Sequence, residues 1–141
     1  MIILDTSGLL AALDASEANH ERAAMALRSA SPPRLLSPFV LAELDYLLAT
    51  RVASTAARAL LAEVSRGAYQ LEPFDRGDID AAIAVLERYP GLDVGLADAS
   101  LVVLAVRHHT ADILTLDERH FRTLRGPGDR PFRLLPADVA A

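Results

Sequence analysis

Two carboxylates follow short apolar runs that predict buried strands. Asp5 comes directly after Ile2–Leu4, and Asp117 comes directly after residues 113–116. In an open parallel sheet, the crevice outside the carboxyl ends of the strands is the usual place for binding and catalysis. We therefore expect these two side chains to lie at the same edge of a sheet.

Two further carboxylates belong to predicted helices. Asp98 lies in the first turn of an apolar helix over residues 96–108, where the positive end of the helix dipole favours an ionised carboxylate. Glu43 borders the apolar stripe of a helix over residues 38–50. Together with the strand-terminal pair, they give four acids that one sheet edge could gather.

Each acid also has a purely structural interpretation. Asp5 could cap the following helix, and Asp117 could cap a short helix over residues 118–124. Asp98 could be an ordinary first-turn acid, and Glu43 a solvated residue at the rim of the core. Each structural explanation is plausible alone, but all four acids at one edge are less easily explained in this way.

A cluster of carboxylates predicts a bound cation. Neighbouring negative charges raise one another's pKa, so the acids cannot all stay ionised without a compensating charge. Oxygen ligands select hard divalent ions, and Mg²⁺ or Mn²⁺ suits a partly open site that keeps water molecules. Such an ion also places positive charge where a phosphate could bind, although the protein's net charge is -5.

The order of predicted elements favours an α/β fold. Strands separated by helical stretches predict a mostly parallel sheet that is covered on both faces, a three-layer α/β/α sandwich, in one domain over residues 1–141. Thr6-Ser7-Gly8 offers N-cap residues for the first helix. The predicted strands are 2–4, 35–36, 69–74, 113–116 and 132–135, and the later helices are 17–30, 38–50, 54–66, 75–89, 96–108 and 118–124.

Composition excludes several other kinds of site. The chain has no Cys, which rules out thiolate metal sites and cysteine nucleophiles, and all 14 basic residues are Arg, which rules out lysine chemistry. Aromatic residues make up 5%, too few for a multi-base stacking platform. The sequence predicts neither a membrane span nor a signal peptide, so we expect a cytoplasmic protein.

Four segments in order resemble the PIN-domain family, and more closely the VapC ribonuclease toxins of bacterial type II toxin–antitoxin pairs. The segments are Asp5-Thr6-Ser7-Gly8-Leu9, Ala42-Glu43-Leu44, Leu96-Ala97-Asp98-Ala99-Ser100-Leu101, and Ile113-Leu114-Thr115-Leu116-Asp117 with His120-Phe121. Each motif alone is weak, but the set in this order spans essentially the whole chain. The resemblance implies the PIN-like α/β/α fold.

The resemblance also implies a reaction and a site. Asp5, Glu43, Asp98 and Asp117 would bind Mg²⁺, with Mn²⁺ as a substitute, and Ser7 would support the first carboxylate. Water activated by the metal would cleave RNA to leave a 5′-phosphate and a 3′-hydroxyl. A VapB-like antitoxin would inhibit the enzyme by laying an Arg over the acids, and a homodimer is expected.

Three arginines follow the last acid at a spacing of three residues. Arg119, Arg122 and Arg125 could guide an RNA backbone, or they could form a solvated helix face. His120 could reach a metal, but we expect an exposed packing role for it. Asp93, which lies between two glycines, predicts only a loop.

Three other function classes compete with this one. A phosphotransfer enzyme that uses the Asp after the first strand would need a Lys, which is absent. A non-catalytic PIN-like binding module remains open, although four retained acids argue against it. A metal-dependent nuclease that acts on DNA also remains open, because the choice of RNA comes from the resemblance.

Two helices carry more leucines than one sheet face is expected to bury, which predicts an interface for the antitoxin or for a second copy. These residues are Leu41, Leu44, Leu47, Leu48, Leu60 and Leu61.

Overall fold

A five-stranded, all-parallel sheet forms the centre of the protein in the computed structural model, which describes residues 1–139. The strand order is β3-β2-β1-β4-β5. The strands are β1 (Ile2–Leu4), β2 (Arg34–Leu36), β3 (Gln70–Leu71), β4 (Asp112–Leu114) and β5 (Arg133–Leu135). Every residue of β1 is fully buried, so both faces of the sheet are covered at its centre.

The chain crosses the sheet in two directions from β1. It runs outward through β2 to β3, then returns to place β4 on the other side of β1 and β5 beyond it. The carboxyl ends of β1 and β4 therefore flank the point where the strand order reverses. In open α/β sheets, this is the place where a crevice forms and ligands bind.

Within residues 1–139, seven helices connect the strands and complete the predicted α/β/α architecture. Pairs of consecutive helices, α1 with α2, α3 with α4 and α5 with α6, pack against each other. The helices are α1 (Thr6–Leu13), α2 (His20–Ser29), α3 (Pro38–Arg51), α4 (Ser54–Ser65), α5 (Arg76–Arg88), α6 (Leu96–His108) and α7 (Glu118–Phe121). Among the described residues, no helix combines the length and the apolar character that crossing a lipid bilayer requires.

Several helix ends carry clear local signals. Pro38 occupies the first turn of α3, and Ser37 caps it by accepting a hydrogen bond from the backbone N–H of Phe39. Asp75 and Asp78 form a reciprocal capping box at the start of α5. The helix predicted over residues 96–108 has those bounds in the structure.

Three predicted elements are shorter in the structure by three residues or more. The strand expected at 69–74 is only Gln70–Leu71, because it lies at the sheet edge and pairs on one side alone. The helix expected at 17–30 begins at His20, after a turn in which the backbone N–H of Glu17 bonds the carbonyl of Asp14. The helix expected at 118–124 ends at Phe121.

The predicted surplus of leucines is largely wrong. Leu44, Leu48 and Leu60 are buried in the main core, and Leu41 and Leu47 pack against it. Of the six leucines, only Leu61 is therefore substantially exposed, at 43%. Helical spacing could not show that α3 and α4 pack on each other as well as on the sheet.

Candidate active site

The four predicted acids line one cavity of about 420 Å³. Asp5 reaches it from the end of β1, and Asp117 from the segment after β4. Asp98 comes from the first turn of α6, and Glu43 from the middle of α3. The structure thus brings together four side chains that are as much as 112 positions apart in the sequence.

Asp5 is the most enclosed of these acids, with 5% of its surface exposed. Its Oδ2 accepts hydrogen bonds from the hydroxyls of Thr115, at 2.7 Å, and Ser7, at 2.8 Å. Burial raises the pKa of Asp5 above its ordinary value, the two hydroxyls oppose the shift, and the charge of Asp117 adds to it. Within residues 1–139, no arginine or histidine nitrogen lies within 4.0 Å of this carboxylate to balance its charge.

The predicted N-cap role of Thr6 and Ser7 is wrong. α1 begins at Thr6, and Asp5 occupies the N-cap position without a side-chain capping bond. The two hydroxyls work between elements instead. Thr6 donates to Glu43, and Ser7 donates to Asp5 while it accepts the N–H of Leu116 at 3.0 Å. Supporting the first carboxylate was the role that the resemblance implied for Ser7.

Gly8 allows α1 to approach the end of β4 closely. A Cβ at this position would lie 2.3 Å from the carbonyl oxygen of Leu114, so no larger residue fits without moving backbone. Leu114 also accepts the N–H of Asp5 at 3.0 Å. This close approach fixes the start of α1 beside the segment that leads to Asp117.

A buried serine pair ties α3 to α6. The hydroxyls of Ser37 and Ser100 are 2.8 Å apart, and Ser100 also donates to the carbonyl of Ala97 at 2.6 Å. Because α3 carries Glu43 and α6 carries Asp98, this contact sets the separation between two of the acids. The motif around Ser100 therefore has a positioning role that its sequence does not reveal.

Asp98 carries the clearest electrostatic signature of the cavity. Burial, followed by the negative charge of Asp5, raises the pKa of Asp98 to about 6, and the neighbouring His120 lowers it in part. When the pKa of a carboxyl group is raised in this way, any cation that enters the cavity stabilises its ionised form.

Glu43 and Asp117 are each held by a hydrogen bond from a neighbouring side chain. Glu43 accepts the Thr6 hydroxyl at 2.8 Å, which links α3 to α1. Asp117 caps α7 through the N–H of His120 at 3.0 Å and also bonds the ring Nδ1 of His120 at 2.7 Å. The capping role of Asp117 is confirmed, and it coexists with a place on the cavity wall.

The expected exposed packing role of His120 is wrong. Its side chain is only 18% exposed, lies against Asp117, and has Nδ1 at 3.9 Å from Asp98. Its Nε2 is buried and has no hydrogen-bond partner within the described part of the chain. The spacing of three residues from Asp117 was the signal for this contact, since α7 turns His120 back over the acid that caps it.

The donor set fits a hard divalent cation, but not an enclosed cage of ligands. In residues 1–139, no three carboxylate or imidazole side chains converge closely enough to ligate one ion together. Mg²⁺ commonly uses one or two carboxylates and keeps several waters, and it suits an open cavity of this kind. The two acids with raised pKa, Asp5 and Asp98, are the pair whose repulsion such an ion would relieve.

Arg51, at the last turn of α3, is a cavity residue that the sequence analysis missed. It is the one basic residue on the cavity wall in the described part of the chain. The cavity wall includes residues at intervals of four along α3, namely Glu43, Leu47 and Arg51. The same helix face therefore carries a negatively and a positively charged side chain. That spacing was the signal that could have found it.

The three predicted arginines have different surroundings. Arg122 donates to both oxygens of Asp138, at 2.7 Å each, and to Glu118 at 2.8 Å, so its charge is already paired. Arg125 borders a separate depression between α5 and α6, and Arg119 is exposed on α7. None of the three lines the acid cavity.

Asp93 has a left-handed backbone, with φ of 48°, in the exposed loop between α5 and α6. It does not line the acid cavity, which agrees with its interpretation as a loop residue.

Comparison with known proteins places these features in a family. A family model for the PIN domain matches residues 2–126. The chain is 43% identical over 135 residues to Ribonuclease VapC26 of Mycobacterium tuberculosis, a match that covers 96% of this chain and all of the relative. β5 lies beyond the matched PIN residues, yet it pairs with β4 in the same sheet.

Solved structures with the same fold include other toxins. The crystal structure of Mycobacterium tuberculosis VapC20, described as a Sarcin-Ricin loop cleaving toxin, has a TM-score of 0.77 and 25% identity, covering 83% of this chain and 90% of that one. A toxin–antitoxin complex from Klebsiella pneumoniae has a TM-score of 0.67 at 17% identity, and the match covers 88% of this chain and 92% of that one. VapBC2 from Rickettsia felis, bound to a promoter DNA fragment, has a TM-score of 0.67 at 16% identity, and the match covers 95% of this chain and 98% of that one. The chain belongs to the PIN-domain family and, within it, to the VapC proteins.

Proposed function

We propose that the chain is a Mg²⁺-dependent endoribonuclease, with Mn²⁺ as a substitute metal, and the toxin of a type II toxin–antitoxin pair. The observation that carries this proposal is the cavity lined by Asp5 and Asp98, whose pKa values are both raised, where no arginine or histidine nitrogen of residues 1–139 lies within 4.0 Å of Asp5. The near-full-length similarity to a VapC ribonuclease supports RNA as the substrate.

Asp5 and Asp98 would hold the metal, which supplies positive charge to a phosphoryl oxygen and lowers the pKa of a bound water. The Ser7 and Thr115 hydroxyls keep Asp5 in one orientation, and the Ser37–Ser100 contact keeps α6 at a fixed distance from α3. These hydrogen bonds prepare the site before substrate arrives, which reduces the reorganisation that the reaction needs.

Glu43 and Asp117 would act on the attacking water. Glu43 is bonded to Thr6 through Oε1, so its other oxygen can accept the proton of a water molecule. Asp117 is held by His120 and can orient that water or complete a second, weaker metal position. No covalent intermediate is needed, because water is the nucleophile and the cleaved RNA leaves with a 5′-phosphate and a 3′-hydroxyl.

We propose a VapB-like antitoxin as the partner, with an Arg of its chain paired to Asp5 or Asp98. A homodimer and a cytoplasmic location stay predictions. Within residues 1–139, α4 offers one exposed large hydrophobic residue for such contacts, Leu61, in place of the broad leucine surface expected from the sequence.

The test is an RNA cleavage assay with the purified chain. We expect cleavage in Mg²⁺ or Mn²⁺ that stops on chelation, and loss of cleavage in Asp98→Asn. Asp80→Asn, which removes an exposed acid from α5, is the matched control and should cleave at the wild-type rate. Unchanged cleavage by Asp98→Asn would reject the assignment. Metal-dependent cleavage of DNA alone would favour the DNA nuclease, and no cleavage of either substrate would favour the binding module.

A further inference from the structure

An apolar groove of about 640 Å³ adjoins the acid cavity between α3 and α6. The two depressions share part of their walls, so a molecule that occupies one can continue into the other. The shared residues are Glu43, Leu47, Leu96 and Ala97. We call this second depression the Tyr46 groove, after the ring that lies at its edge.

Tyr46 is the most exposed large hydrophobic residue in the described chain, at 68%. Among the Phe and Tyr residues of 1–139, Tyr46 is also the one that is exposed, whereas the others are buried or half-buried. Phe39, which lines the same groove, is held by an edge-to-face contact with Phe74, with ring centroids 5.0 Å apart at 84°. The groove thus has one fixed ring and one free ring, and the free ring has no structural role in the core.

The charges around the groove indicate what it binds. The acid cavity is the place where a phosphate would meet the metal, and Arg51 supplies a guanidinium on the same cavity wall. RNA alternates charged phosphates with flat bases that have apolar faces. A charged cavity that continues into an apolar groove with an exposed aromatic ring has the same alternation.

We propose that the Tyr46 groove holds one unpaired base of the RNA, stacked on Tyr46, next to the phosphate that is cleaved. This inference rests on the proposed ribonuclease function and assigns Tyr46 as the residue that positions a base beside the cleaved phosphate. Low aromatic content argues against a platform for several bases, and it is compatible with a subsite for one base. A stacked base inside a duplex could not enter such a groove, because its faces are already covered.

The absence of Trp from the sequence allows a direct test of stacking. Tyr46→Trp introduces a single indole at the groove, and Asp98→Asn in the same chain slows cleavage during the measurement. The probes are a short oligoadenylate and an abasic sugar–phosphate oligomer of equal length. Val106→Trp, at an exposed position on α6 outside both depressions, is the matched control.

We expect the oligoadenylate to quench the indole at position 46 and the abasic oligomer to leave it unchanged. Neither probe should quench the indole at position 106. In the otherwise unmodified chain, Tyr46→Leu should raise KM for RNA about tenfold with kcat unchanged, and Tyr46→Phe should restore the wild-type KM. Tyr46 is exposed, so these variants leave the core intact.

Two results would overturn the base subsite. One is equal quenching, or none, by the two oligomers, and the other is quenching by a VapB-like antitoxin segment alone, which would make the groove a protein-docking surface. The wild-type cleavage assay separates this inference from the proposed function. Cleavage without base-dependent quenching rejects the subsite alone, whereas base-dependent quenching without cleavage in Mg²⁺ or Mn²⁺ rejects the ribonuclease and keeps the subsite.

Discussion

Two carboxylates in this protein are equally buried and have opposite electrostatics. Asp5 and Glu72 are each 5% exposed. Asp5 meets two hydroxyls and the charges of other acids, and its pKa is raised mainly by burial. At Glu72 burial also acts to raise the pKa, but hydrogen bonds from Gln70, His108 and Arg107 outweigh it, so its pKa is lowered.

The difference lies in the supply of cations. The Glu72 cluster joins the end of β3 to the last turn of α6, where Arg107 also pairs with Asp78 at 2.9 Å. There the chain provides its own positive charges, and the result is a structural contact. In the acid cavity, by contrast, no arginine or histidine nitrogen of residues 1–139 lies within 4.0 Å of the buried Asp5, which is the arrangement expected of a metal-dependent site.

The largest expected effect separates the two buried acids by activity. Asp5→Asn should lower the RNA cleavage rate by at least about a hundredfold, because it removes a ligand charge and weakens metal binding. Glu72→Gln should cleave at close to the wild-type rate at a temperature where it is folded. Initial rates measured with saturating Mg²⁺ check this, and similar losses in both variants would break the comparison.

Stability should change in opposite directions in the two clusters. Glu72→Gln should lower the free energy of unfolding by about 2 kcal/mol, because it leaves Arg107 and His108 with a neutral partner in a buried contact. Asp98→Asn should raise it by about 1 kcal/mol in metal-free buffer at neutral pH, because it removes a charge that burial and the repulsion of Asp5 both disfavour. Urea unfolding with chelator measures both. A loss of stability in Asp98→Asn would contradict the explanation that the charge of Asp98 destabilises the metal-free protein.

The pH dependence of stability follows from the raised pKa of Asp98. Between pH about 4 and about 6 the folded chain holds a proton on Asp98 that the unfolded chain has released. Stability of the metal-free protein should therefore fall as pH rises through that window, by roughly 1 to 2 kcal/mol after allowance for solvent screening. Asp98→Asn should remove the contribution of Asp98 to this slope and leave that of Asp5, whose pKa is also raised, and saturating Mg²⁺ should reduce both contributions. An unchanged slope in Asp98→Asn would assign it to other groups.

The smallest expected effect concerns cations outside the cluster. Arg122 is paired with Asp138 and Glu118, so Arg122→Gln should leave the salt dependence of RNA binding unchanged. Arg51→Gln and Arg119→Gln should each reduce the slope of log K against log salt by about 0.7, which is the value for one contact with a single strand. Binding titrations at several salt concentrations measure the slopes. Equal slopes for the wild type and all three variants would show that Arg51 and Arg119 are solvated surface residues that make no contact with RNA phosphates.

The sequence predicted most of the fold because its helices carry strong local signals. The proline and serine at the start of α3, the capping box of α5 and the apolar run of α6 are each decided within a few residues. The edge strand β3 was overestimated, since its length depends on pairing with β2 and not on its own residues. Likewise, the burial of Leu44 and Leu60 depends on contacts between helices.

Three of the four acids could be predicted because Asp5, Asp98 and Asp117 stand at the end or start of an element, where topology fixes their place. The fourth, Glu43, could be predicted because it borders the apolar stripe of α3. Their hydrogen-bond partners could not. The bond from Thr115 to Asp5 spans 110 positions, and the Ser37–Ser100 contact spans 63. Arg51 and Tyr46 were missed because their importance comes from cavities formed by α3 with other elements.

Calorimetric titration with Mn²⁺ tests the central claim most directly, because it measures whether the uncompensated acids take a cation. The wild type and Glu72→Gln should bind Mn²⁺ with similar affinity, whereas Asp5→Asn and Asp98→Asn should each bind at least about tenfold more weakly. Undiminished binding by both cavity variants, or no Mn²⁺ binding by the wild type, would contradict the account.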